Sequence, residues 1–143
     1  MIHFILIINK QGRTRFSKYF TEIGVSPLQR SIFEAELARK IIPRPESQCS
    51  IIFHEQYKFV YRRYASLFFI LGISPEDNEF EVIEFVQNWV EILNVYFDKV
   101  RELDLVIHLD KVHLILNEMM ANGNIVSSNK HDILVAIDAL ERA

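Results

Sequence analysis

The sequence predicts an α/β domain of the α+β kind, a five-stranded, mostly antiparallel sheet flanked by helices in the order ββαβββααα. Three observations predict it. Residues 2–9 are a continuous apolar run of strand length, the pattern of a strand covered on both faces. Further short runs rich in β-branched and aromatic residues follow at hairpin and meander spacing. Residues 80–121 then carry apolar side chains at helical intervals. The chain has 143 residues, a usual length for one domain. With no repeat, low-complexity stretch or linker, residues 1–143 read as a single domain.

The first strand, apolar on both faces, is expected at the centre of the sheet. Lys10-Gln11-Gly12 reads as a turn, with glycine free to take a positive φ, and residues 13–20 return as a second strand. Ser26 and Pro27 mark a helix entry, serine as cap and proline in the first turn. This helix reaches about Lys40 on a stripe of Leu28, Ile32, Phe33, Leu37 and Ile41, and Pro43 and Pro45 end it. Residues 49–55, 58–64 and 66–73 read as three meandering strands; the turn near Arg63-Tyr64-Ala65 lacks Gly or Pro. A long helix at about 79–100 follows, its early acids Glu76, Asp77, Glu79 and Glu81 suiting the positive end of the helix dipole. Another helix covers 104–121 and stops at Asn122-Gly123, and Ser127-Ser128 open a last one at about 129–141.

The helix at 80–100 is apolar on more sides than one sheet requires. One stripe is Val82, Val86, Trp89, Leu93, Tyr96 and Val100; a second is Ile83, Val90 and Phe97, with Phe85 and Ile92 beside it. The helix at 104–121 repeats the excess. Either the two helices cover each other's second stripes, or a partner covers part of them, since soluble monomers avoid large exposed apolar patches.

Composition narrows the function classes. A lone cysteine, Cys49, excludes an intramolecular disulfide and points to a reducing compartment. The apolar opening lacks a basic n-region and a cleavage site, so it is not read as a signal peptide, and no run approaches the length that spans a bilayer. Residues 1–65 carry eleven Lys/Arg against five Asp/Glu, whereas residues 66–143 carry five against fourteen. That split suggests a face that attracts anions. The basic residues are scattered and no helix concentrates them, so nucleic acid is not expected as a partner.

Catalytic and metal patterns are missing. His108 and His113 do not share a helical face, and neither HExxH nor paired Cys-x-x-Cys occurs. The four glycines are isolated, and no serine sits in a Gly-x-Ser-x-Gly elbow. Cys49 has no basic neighbour to activate it. No enzymatic activity, metal or cofactor is expected.

Several segments, in order, carry a resemblance. Met1-Ile2-x-Phe4-Ile5-Leu6 leads to Asn9-Lys10-Gln11-Gly12-Arg13-Thr14-Arg15, then Tyr61-Arg62-Arg63-Tyr64-Ala65. Phe85-Val86-x-x-Trp89-Val90-Glu91-Ile92-Leu93-Asn94-x-Tyr96-Phe97 follows, then Glu102-Leu103-Asp104-Leu105 and Asn117-Glu118-Met119. Together they resemble the sigma (small) subunits of clathrin-type adaptor protein complexes. Gln48-Cys49-Ser50, Leu109-Asp110-Lys111-Val112-His113 and Asn122-Gly123-x-Ile125-Val126 are similar to the complex 4 branch of that family. Pro75, Trp89 (where the family usually has Phe) and the tail after Ser127 depart from it.

The resemblance implies a longin-like fold. It implies a place in a heterotetramer with a large, epsilon-like adaptin, a beta-class subunit and a medium mu subunit, peripheral on trans-Golgi or endosomal membranes and coated vesicles. Arg62, Arg63, Tyr64 and Trp89 are the expected partner contacts. It also implies a site for acidic dileucine signals in cargo tails, with Ala65, Leu67, Val90, Val100 and Leu105 toward the leucines and Arg15 toward the acid. Lys99 stands there where sigma subunits with an established pocket have Asn. The other reading is the small chain of coatomer or a free-standing longin-domain trafficking regulator.

Overall fold

The computed structural model describes residues 1–21, 26–45, 50–53, 56–121, 124–125 and 130–142. Five strands, β1 (Ile2–Asn9), β2 (Thr14–Tyr19), β3 (Ile51–Phe53), β4 (Lys58–Tyr64) and β5 (Leu67–Ile73), form one sheet in the order β2-β1-β5-β4-β3. Every neighbouring pair is antiparallel. The N-terminal hairpin and the meander meet where β1 pairs with β5. β1 is interior, as its unbroken apolar run requires, although β5 takes the middle position and is buried along its whole length.

Both faces of the sheet are covered. Phe4, Leu6, Ile8, Phe59, Tyr61, Phe68 and Ile70 pack beneath α1 (Arg30–Ile41). Ile5, Ile7, Leu67, Phe69 and Leu71 point into a larger layer under α2 (Glu79–Phe97), to which α4 (Leu109–Met119) and α5 (Lys130–Arg142) add Val112, Ile115, Leu116, Ile133 and Ile137. A bulge between Ile2 and Phe4 makes His3 the extra residue and moves Ile2 to the larger layer. The imidazole stays between Thr21 Oγ1 and Ser74 Oγ, 2.7 Å from each.

Several expectations are corrected. Pro27–Gln29 form a 3-10 turn before α1, and Ser26 makes no side-chain cap. Leu28 and Ile32, expected on the buried stripe of α1, are exposed, while Glu34 is buried. The reason is chemical: Glu34 accepts hydrogen bonds from Thr14 Oγ1 (2.7 Å) and the Tyr19 hydroxyl (2.5 Å), which satisfies its carboxylate inside. α2 ends at Phe97, because Asp98 and Lys99 are left-handed, with φ of +52° and +72°. The expected helix at 104–121 is two helices, α3 (Glu102–Ile107) and α4, broken at His108. After α4 the chain turns extended, and β6 (Met120–Ala121) pairs with β7 (Asn124–Ile125) in a ribbon that period-based reading missed. Cys49, His54, Asn122-Gly123 and the helix start at Ser127-Ser128 fall outside the described residues.

The second stripe of α2 is largely covered from within. Val90 and Ile92 are buried, Ile83 and Phe97 half-buried, and α4 and α5 lie against the helix. The exposed apolar residues in this region are fewer: Phe80, Val95, Leu103, Val106, Ile107 and Leu109, four of them on α3 and the start of α4. Lys58, buried at the far end of the sheet, holds the start of α2 through the Asp77 carbonyl (2.6 Å) and Glu79 (2.9 Å).

Candidate functional site

One end of the sheet gathers most of the residues singled out by sequence. Asn9 and Tyr64 both pair with Leu67, so the β1–β2 and β4–β5 turns lie side by side. Asn9 is almost fully buried and organises the first turn: its Oδ1 accepts from the N–H groups of Gln11 (3.0 Å) and Arg13 (2.9 Å). Its Nδ2 donates to Glu102 Oε1 at 2.7 Å and so ties the start of α3 to the turn.

Arg15 owes its direction to a bulge. Ile7 opposes Phe16 and Ile8 opposes Thr14, which leaves Arg15 as the extra residue. Thr14 therefore faces α1, while Arg15 reaches α3 and donates from Nε to Glu102 Oε1 at 2.6 Å. Both side chains of this ion pair remain about a third exposed, at 31% and 32%. Hydrogen bonds from Asn9 and Arg15 hold the Glu102 carboxyl below the usual carboxylate range.

Four of the five leucine-facing residues share one apolar layer and are closed over. Leu67, Val90, Val100 and Leu105 all belong to the larger apolar layer, and none is more than 3% exposed. Ala65 alone is exposed, in the two-residue β4–β5 turn, at φ +51°. That positive φ is the turn signal the sequence lacked, since no Gly stands there. Two open clefts, of about 480 Å³ beside Asp77, Glu81 and Glu84 and about 420 Å³ beside Arg44, Arg62 and Arg63, include none of these five residues.

The joint between α2 and α3 is strained backbone. Two successive non-glycine residues in the left-handed region each cost about 1–2 kcal/mol, and here they are Asp98 and the exposed Lys99. Asn94 holds the joint: its carbonyl accepts from Lys99 N–H (2.9 Å) and its side chain from Val100 N–H (3.0 Å). Asp104 then caps α3 by accepting from Arg101 N–H at 2.9 Å. Asn9, Asn94 and Glu102 are the positions that sequence reasoning missed as site residues. All three lie in quoted motifs, yet Glu102 stands 87 positions from Arg15, beyond any local pattern.

Of the expected partner contacts, Arg62 and Arg63 are exposed and Tyr64 is half-buried. Trp89 is a correction. It is fully buried, with ring centroids 5.3 Å from Phe69 and 5.9 Å from Phe16, so it builds the core and has no surface to offer. Its indole N–H finds no hydrogen-bond partner among the described residues.

A sheet covered by helices on both faces, a bulge-directed arginine and a short helix clamped to the first hairpin define a small three-layered interaction domain. The chain belongs to the family described as clathrin adaptor complex small chain, whose profile matches residues 1–143. It is 42% identical over 142 residues to the AP-4 complex subunit sigma-1 of Homo sapiens, covering 99% of this chain and 97% of that protein. It is 43% identical over 142 residues to the AP-4 complex subunit sigma of Arabidopsis thaliana, covering 99% and 98%. The AP-1 complex subunit sigma-2 of Arabidopsis thaliana is 38% identical over 142 residues, with 99% of this chain and 86% of that one covered. In structure it is similar to a chain in "Homology model of the full-length AP-3 complex in a stretched open conformation", with a TM-score of 0.80, 24% identity, and 99% and 94% covered. The longin-like, mixed α/β fold is thereby shown, and the chain is a small subunit of an adaptor complex in vesicle transport. Among the described residues, no helix is long and apolar enough to cross a membrane.

Proposed function

We propose that the chain is the small subunit of a heterotetrameric coat adaptor of the AP-4 kind, packed against a large epsilon-like subunit beside beta-class and mu subunits. In this reading it works on trans-Golgi or endosomal membranes and takes acidic dileucine signals of cargo tails. Arg15 meets the acid of the signal. The layer containing Leu67, Val90, Val100 and Leu105, entered beside Ala65, receives the leucines, and Lys99 lies at the rim.

The observation that carries the reading is the bulge that turns Arg15 out of the strand pattern and toward an acid at the start of α3, three residues before Leu105. An arginine already shaped around one carboxylate is suited to another. Two buried leucines each contribute roughly 1.5–3 kcal/mol, and ordering the tail offsets much of it, which suits a Kd of roughly micromolar to millimolar.

The experiment is binding of a labelled Glu-x-x-x-Leu-Leu peptide to the co-purified small–large subunit pair. Arg15→Ser and an Ala-x-x-x-Leu-Leu peptide are each expected to weaken binding about tenfold, the loss of one charge-assisted contact. Equal binding by all combinations refutes the site.

A further inference from the structure

The unequal charge of the two halves of the sequence becomes a polarity along the strands. The β1–β2 turn carries exposed Lys10 and Arg13. A Cβ on Gly12 of that turn would lie 3.6 Å from the Ala38 Cβ, so the last turn of α1, with exposed Arg39 and Lys40, sits directly against it. Arg62 and Arg63 end β4 at the same end of the sheet, and Arg44 follows α1, over the Tyr61 ring at 5.5 Å. Arg15, Lys99 and Arg101 stand on the α3 side. The acids near this end are Glu34, Glu36, Asp98, Glu102 and Asp104; Glu34 is buried against Thr14 and Tyr19, and Glu102 and Asp104 are engaged by Arg15 and Arg101.

The far end has the opposite sign. There β5 leaves the sheet, and Glu76, Asp77, Glu79, Glu81 and Glu84 crowd the loop and first turns of α2. The eight residues of β1 separate the two ends by roughly 26 Å. That is about three Debye lengths at physiological salt, so a charged body touching the basic end does not feel the acidic one.

We propose that this basic end, centred on Lys10, Arg13, Arg39 and Lys40, docks directly on an anionic lipid bilayer. Long exposed cations spread over a turn and a helix end suit a charged plane, whereas a small anion calls for donors converging on one point. The acidic far end disfavours only the reversed orientation, in which it would itself touch the anionic surface. This goes beyond cargo recognition and needs no peptide, but it sets Arg15 at the bilayer-facing end, where a cargo tail emerges.

The test is flotation of the full chain with vesicles of phosphatidylcholine alone or with about 30% phosphatidylserine, at low and physiological salt. Binding to the anionic vesicles only, weakening with salt, is expected. The quadruple variant K10S/R13S/R39S/K40S is expected to lower partitioning at least tenfold with an unchanged thermal midpoint, at roughly fivefold for each cation in contact. The far-end variant E76Q/E81Q/E84Q is expected to bind within about threefold of the parent, because its charges lie beyond the screening length. Equal binding to neutral vesicles, no loss in the quadruple variant, or a far-end gain as large as that loss overturns the proposal. So does a chain that ignores vesicles but retains a soluble polyglutamate peptide, which would assign the surface to an acidic protein.

Discussion

Replacing Glu102 by alanine separates two interactions that share one oxygen. Oε1 accepts from Asn9 Nδ2 at 2.7 Å and from Arg15 Nε at 2.6 Å. The arginine pair is about a third exposed on both sides and is worth only about 0.2–1 kcal/mol. Asn9 is different: it is 3% exposed, and its Oδ1 is already committed to the Gln11 and Arg13 N–H groups, so the amide cannot flip. Losing Glu102 strands the Nδ2 donor, at about 1–3 kcal/mol. Loss of a first-turn acid on α3 adds about 0.3–1 kcal/mol. Glu102→Ala is therefore expected to destabilise by about 1.5–5 kcal/mol and Arg15→Ala by less than about 1 kcal/mol. Urea denaturation of the full chain and of both variants reads this directly. The pH dependence has a definite sign. A carboxyl whose folded pKa is lowered adds stability above its unfolded pKa of about 4.3 and loses it as pH falls, so the variant has a flatter acid limb below about pH 5. If Arg15→Ala proves as damaging as Glu102→Ala, the ion pair rather than the buried amide holds α3, and the reasoning fails.

Two further perturbations probe the core. A Cβ on Gly72 would lie 2.1 Å from Phe4 Cε1, and that ring is wedged among Tyr19, Phe33 and Phe59 at 5.5–5.9 Å, so it has nowhere to go. Gly72→Ala is expected to cost about 3 kcal/mol or more, and Phe4→Leu in the same chain to recover part of it, read as coupling in a double-mutant cycle. Trp89→Phe removes a buried N–H that has no partner among the described residues, worth about 1–3 kcal/mol, and leaves a void costing about 1 kcal/mol. The thermal midpoint is expected to hold or rise; a clear fall would mean that indole packing outweighs the orphan donor.

How far the sequence could be read depended on whether a signal was local. The strands were legible because β1 and β5 are apolar on both faces and β4 alternates around Phe59 and Tyr61, all within a few residues. The β4–β5 turn was harder, because a positive φ at Ala65 leaves no mark in composition. On α1 the apolar stripe misled: Leu28 precedes the α-helix itself, and Glu34 is drawn inward by two hydroxyls on β2 that no helical period encodes. Trp89, expected among the partner contacts, is instead part of the aromatic core, because its ring packs between Phe16 and Phe69. At the site, motif resemblance led to Arg15, Leu67, Val90, Val100 and Leu105, but not to Glu102 as the group Arg15 holds. Nor did it disclose that the leucine-facing residues are closed over. Both depend on α3 returning to the first hairpin.

That closure bears on how a signal peptide enters. Suppose α3 swings aside and uncovers Val100 and Leu105. Their burial, roughly 1.5–3 kcal/mol each, is lost, and two incoming leucines restore a similar amount. The apolar exchange is then nearly balanced, and the strained Asp98–Lys99 joint has little helical order to lose. What remains to decide binding is the contest for Arg15, in which Glu102 already occupies the guanidinium. Glu102→Gln tests the contest without the instability of the alanine variant, because the amide oxygen still accepts from Asn9 and Arg15 while the charge is gone. Acidic dileucine peptide affinity is expected to rise several-fold, up to about tenfold, since a neutral amide competes less well than a carboxylate. An affinity that is unchanged or lower, in a variant as stable as the parent, would show that the acid of the signal never meets Arg15.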